Sequence, residues 1–133
     1  MIKMSGRLLI FDKPSKNGIL FPKNCNLSFP EKVPITLEFS IKDPTSILGN
    51  ATISKDEHGL ICDAELINPI LTNDCLRDHF NNELSIGGYY VGIKKHDENG
   101  IRVIDEASLK MVSVTRYPAD DELKMTVKDE EEL

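Results

Sequence analysis

The stretch Leu84-Ser85-Ile86-Gly87-Gly88 sets a hydroxyl on an apolar run and follows it at once with two glycines. That is a setting for a serine nucleophile, because a strand holds the hydroxyl while the glycines allow close approach. A serine hydroxyl is a poor nucleophile until a base takes its proton, so the histidines decide what Ser85 can do. His58 lies in a DEHG turn and His96 opens a stretch ending in Asn99-Gly100, and both read as solvated turn side chains. His79 is the candidate rescue base, since the helical stretch that holds it feeds directly into the strand of Ser85; its spacing with Leu76 and Phe80 also suits simple packing. No histidine pair has HxH or HExxH spacing, and Cys25, Cys62 and Cys75 form no CxxC pair, so no metal is expected. A GxxxxGK[ST] loop and a GxGxxG turn after a strand are also missing, so no cofactor is expected.

These groups must be positioned mainly by strands. VPITLEFSI puts Val33, Ile35, Leu37, Phe39 and Ile41 on one face and Thr36, Glu38 and Ser40 on the other, the period of a half-buried strand. Asn50 to Lys55 and Leu60 to Leu66 flank the DEHG turn as a hairpin. A second hairpin joins a strand near Leu84 to Lys94 with one near Ile101 to Asp105, across the type I′ signal Asn99-Gly100. LKMVSVTRY then sets Leu109, Met111, Ser113 and Thr115 against Lys110, Val112 and Val114, until Pro118 stops it. The one convincing helix is TNDCLRDHFNNE, with Cys75, Leu76, His79 and Phe80 at helical spacing. The pattern predicts a β-rich α+β domain: a closed or nearly closed, antiparallel-dominated barrel of about six to eight strands with one or two helices.

The chain has 133 residues and a net charge of −6, enough length for one domain with a sizeable core. From Asp120 onward seven acids stand against Lys124 and Lys128, leaving −5 there and −1 on the body. The expected organisation is therefore a domain over residues 1–119 and an acidic tail over 120–133. No basic stripe interleaved with aromatics exists to neutralise phosphates, which speaks against nucleic acid as a partner. MIKMSGRLLIFDK returns to charge after four apolar residues, and no later run approaches a membrane span, so a soluble, unexported product is expected with its three cysteines reduced.

The order VPITLEF, ILGNATI, HGLICDAEL, helix, LSIGGYY and LKMVSVTRYPA resembles the prohead (capsid maturation) serine proteases of tailed bacteriophages, which are similar in fold to the herpesvirus assemblin proteases. The resemblance runs from about Ser5 to Ala119, and LSIGG and VSVTRYPA are its most specific pieces. It implies a β-barrel endopeptidase acting on scaffold and capsid precursors, with Ser85 in the nucleophile's position. Two departures follow. Family members usually read VPLLWEHD where this chain has VPITLEFS, which places Phe39 at the catalytic histidine's position; the acid of their LxEVSLV stretch corresponds to Met111. A phenyl ring accepts no proton, and loss of the histidine alone costs on the order of a million-fold in turnover in the subtilisin example.

The resemblance with its departures implies a catalytically inactive prohead-protease-like protein, made in the host cytoplasm and kept in the virion as a capsid component. Its roles would be decoration, cement or head assembly, and its partners the major capsid protein or other head proteins; a homo-oligomer is compatible with this. The alternative is an active maturation endopeptidase in which Ser85 works with a relocated base, His79 first.

Overall fold

The computed structural model describes residues 2–38, 47–67 and 73–128, without the side chains of 73–75 and 79. Phe39, the residue at the catalytic-histidine position of the resemblance, lies outside the described residues, as does the side chain of His79.

Among the described residues the strands are β1 (Ile2–Ile10), β2 (Ile19–Leu20), β3 (Asn26–Ser28), β4 (Lys32–Leu37), β5 (Ile47–Asp56), β6 (Gly59–Leu66), β7 (Glu83–Glu98), β8 (Ile101–Val114) and β9 (Lys124–Val127), with one helix, α1 (Asn73–Phe80). Seven of them close a barrel in the order β8-β4-β5-β6-β1-β9-β7, and β7 returns to pair with β8. All pairings around the ring are antiparallel except β4 with β8, where Ile35 meets Val112 in parallel register. The expected β-rich, antiparallel-dominated barrel is therefore what forms, closed and with one parallel pairing in the ring. Closure removes the free edges that an open sheet would expose.

Local chemistry makes the corners. The second hairpin turns on Asn99 and Gly100, at φ 53° and 86°, the left-handed pair that a type I′ turn requires. In the first, the Asp56 carboxylate accepts from the His58 and Gly59 amides at 2.9 Å each and receives both Arg7 guanidinium nitrogens at 2.8 and 3.0 Å. Helix α1 ends where Asn81 and Asn82 take positive φ and the Asn82 amide closes on the Leu76 carbonyl at 2.9 Å. Among the described side chains of this helix Leu76 is fully buried, whereas Phe80 is exposed.

The barrel is filled by Met4, Leu8, Ile35, Leu48, Leu60, Leu84, Ile86, Leu109, Val112 and Met125, all at or near zero exposure. Two sequence expectations change here. The segment beginning at Asp120 is not a tail throughout: Leu123 and Met125 are buried, and β9 is the barrel stave between β1 and β7. Gly6 permits this, since a Cβ on it would lie 1.8 Å from the Lys124 carbonyl oxygen. The domain therefore extends through Val127 and not to residue 119.

The second change concerns β8, a single strand of 14 residues where two shorter ones were expected. Tyr90 pairs with Leu109 and Tyr89 with Met111, so Lys110 is an extra residue bulging from the ladder. The core-facing row consequently passes from Leu109 to Val112 and Val114, and Met111 leaves the face of Leu109. Similarly, Val33 and Ile35 point inward as expected, but Leu37 sits at the barrel rim with 43% exposure. Glu38, at φ 49°, then turns the chain away.

Candidate functional site

Leu84 and Ile86 point into the core, so the period of two turns Ser85 to the outer wall of the barrel. Its strand neighbours are Lys124 on β9 and, across β8, Thr115, whose amide donates to the Ser85 carbonyl at 3.0 Å. The next residues along this face are Gly87 opposite Ser113 and Tyr89 opposite Met111. The structure thus sets Ser85 and Met111 on one wall but does not bring them together: four residues of β8 separate Met111 from Thr115, roughly 13 Å at the usual rise of an antiparallel strand.

Among the described residues, the strand neighbours of Ser85 are engaged elsewhere. Glu38 holds the β8 exit, its carboxylate accepting from the Arg116 amide at 2.9 Å and from the Thr115 hydroxyl at 3.3 Å. The Thr115 hydroxyl in turn accepts from the Tyr117 amide at 3.1 Å, and the Glu38 amide donates to the Val114 carbonyl at 2.8 Å. Glu38 is a residue that sequence reasoning did not single out. The left-handed φ it adopts is unusual for a glutamate, and the clamp of hydrogen bonds on both sides over-determines it. Lys124, the neighbour on β9, is exposed, and its Nζ lies 3.3 Å from the Glu83 carboxylate.

Farther along the same wall, Thr36, Met111 and Ser113 turn away from the core yet are buried. The Thr36 hydroxyl donates to the Met111 sulfur at 3.6 Å, and the Ser113 hydroxyl lies 3.2 Å from both the Thr36 and Val114 carbonyl oxygens. Met111 is thus a buried thioether that accepts a threonine hydroxyl.

The histidines with described side chains lie elsewhere. His58 sits at the β5–β6 turn, 3.6 Å from Glu57. His96 lies eleven residues beyond Ser85 on β7, more than about 30 Å along the strand. Its Nδ1 is 2.8 Å from Asp105 and its Nε2 3.1 Å from Glu98, and these carboxylates hold its pKa above the ordinary histidine value. Of the cysteines, Cys25 and Cys62 are buried free thiols, and burial pushes Cys62 up to about 12. Cys75 has no described side chain. Among the described residues no group of three or more His, Cys, Asp or Glu side chains converges, and no helix is long and apolar enough to cross a membrane.

Comparison with known proteins adds nothing to this geometry: no family model matches the chain, and no curated protein matches it.

Proposed function

We propose that this chain is a catalytically inactive protein built on a prohead-protease-like barrel, and that it serves as a structural component of a phage head. The motif order and spacing support the resemblance, and a closed barrel with LSIGG on one of its staves accords with it. The observation that carries the loss of chemistry is the wall around Ser85. It is flanked by Thr115, bound to Glu38, and by Lys124, paired with Glu83, while Met111 is committed to packing against Thr36. A protease working inside a capsid already has surfaces that fit capsid subunits, and a barrel without chemistry can keep those surfaces as a binding module.

The partner is then the major capsid protein or another head protein, and the site of action the virion. The acidic C-terminal segment favours the outer surface of the shell, because packaged DNA repels it. The concrete roles are decoration or cement of the mature shell. The test is fluorophosphonate labelling of the purified protein beside its Ser85→Ala variant, together with quantitation of the protein in purified capsids. Silence of both proteins towards the probe, with stoichiometric copies in capsids, is the expected result. Labelling that depends on Ser85 returns the protein to the endopeptidases, with His79 the first base to mutate. Capsids lacking the protein refute the structural role.

A further inference from the structure

The β7–β8 hairpin runs on beyond the closed ring. β9 pairs with β7 only at residues 83–85, so farther along β7 has β8 on one side and, among the described residues, no strand on the other. Residues 92–98 are all exposed. Gly92, at φ 60°, and the register shift between Val91 and Lys94 interrupt this edge, which leaves residues 94–98 as its regular run before the turn. The further shift at Lys94 and Lys95 adds its extra residue, Asp105, to β8 and not to β7.

The turn fixes which backbone groups face outward. In a two-residue type I′ hairpin the residues flanking the turn, here Glu98 and Ile101, exchange both hydrogen bonds, and the alternation of the ladder puts His96 and Val103 in the same class. The amides and carbonyls of Lys95 and Asp97 therefore point away from β8, along the free edge. The side chains divide in the same way. On one face Lys94 lies 3.5 Å from Glu106, and His96 lies 2.8 Å from Asp105 and 3.1 Å from Glu98. On the other face Lys95 and Asp97 carry opposite charges, and neither has an ion pair among the described residues.

We infer that this edge docks a second copy of the chain, the two β7 strands pairing antiparallel about a two-fold axis through His96. That axis sets Lys95 opposite the partner's Asp97, and Asp97 opposite the partner's Lys95. These are the residues whose backbone groups face outward, so the pairing closes four backbone hydrogen bonds and two ion pairs at once. Lys94 likewise meets the partner's Glu98. Placing the axis on Lys95 or on Asp97 sets like charges face to face, and the intermediate registers mismatch the outward backbone groups. Lysine on a free edge ordinarily discourages pairing, because another copy brings the same charge; an aspartate two residues along brings the opposite charge to the same place. Five residues a side fall short of the roughly 1,000 Å² that a stable interface buries, so the dimer is weak, with a dissociation constant on the order of 0.1–1 mM. The pairing does not depend on the capsid role.

The test is a dilution series of the full chain from about 1 mM downward, read by backbone amide shifts and by sedimentation. A monomer–dimer equilibrium is expected, with the concentration-dependent shifts at residues 94–98. Lys95→Glu and Asp97→Lys each set like charges across the axis twice, so each should weaken self-association about tenfold. Mixing the two variants should restore association, because each then presents the charges that the other faces. A native chain that stays monomeric at about 1 mM overturns the inference and leaves the edge to a strand of another protein. Shifts confined to other surfaces, variants that associate as tightly as the native chain, or a mixture that associates no better than either variant alone would each overturn it as well. The dilution series on the native chain decides the matter even if a variant folds poorly.

Discussion

Replacing Met125 by alanine asks whether the chain beyond Asp120 belongs to the cooperative fold. Met125 is 0% exposed, is paired across the ladder with Gly6 on one side and Leu84 on the other, and sits with its sulfur 3.7 Å from the Cys62 thiol. Full burial of such a side chain contributes about 1.5–3 kcal/mol. Truncation adds the cost of a void, which places methionine-to-alanine changes in cores at about 2–5 kcal/mol. The stave is flanked on both sides by hydrogen-bonded strands, so the barrel cannot collapse far into the space, and about 3 kcal/mol is the expected loss. At a urea dependence of about 1–3 kcal/mol per molar, the unfolding midpoint should fall by roughly 1–3 M.

Thr126→Ala, one residue along and exposed, serves as the control, with an expected change within about 0.5 kcal/mol. Gly6→Ala attacks the same pairing from β1, because its new Cβ would stand 1.8 Å from the Lys124 carbonyl oxygen and must force the two strands apart. Its loss should equal or exceed that of Met125→Ala. Urea unfolding followed by circular dichroism measures all three. If Met125→Ala moves the midpoint no more than Thr126→Ala does, β9 is not part of the cooperative unit and the closed barrel is wrong.

Two further predictions follow from the titrating groups. The Arg7 guanidinium and the His58 and Gly59 amides hold the Asp56 carboxyl well below the usual carboxylate range. A depressed folded-state pKa means that its stabilisation is complete above about pH 4 and is lost as the pH falls below that. Asp56→Asn should therefore be less stable than the native protein at neutral pH, and the two denaturation midpoints should converge in acid; a gap that persists unchanged at low pH would contradict the assignment. The Cys62 thiol, held at about 12 by burial, should react with a disulfide reagent at mildly alkaline pH only as fast as the barrel opens. Its labelling, read by mass spectrometry, should accelerate sharply in urea, and native-state labelling at the rate of a free thiol would show that the interior is accessible.

Much of the architecture could be read from local pattern because most of it is local. The β5–β6 and β7–β8 hairpins follow from alternation around turn residues, and the Asn99-Gly100 signal marks its corner to the residue. The strands that escaped are those whose local signal is weak. β9 is four residues long among charges, so composition made it resemble a solvated tail, and its burial depends on Gly6 more than a hundred residues away. β1 drew attention as a terminus without a long apolar run, and its role appears only once β6 and β9 flank it.

The candidate site failed to be legible for a sharper reason. That Ser85 faces outward follows from Leu84 and Ile86, and sequence alone suffices for it. Which side chain stands beside it depends on the register between β7 and β8, and a slip of one residue exchanges the faces of a strand. The bulge at Lys110 makes such a slip in mid-strand, moving Met111 off the face of Leu109 and joining it to the row of Ser113 and Thr115. The register then places Thr115, and not Met111, opposite Ser85, and the clamp on Thr115 comes from Glu38 at the end of a third strand, paired in parallel. The strand that holds Ser85 can therefore be recognised locally, whereas what stands beside the serine is decided by two non-local registers. In this barrel the β7–β8 register sets Thr115 opposite the serine, and the Glu38 carboxylate that binds Thr115 is spent on holding a strand end.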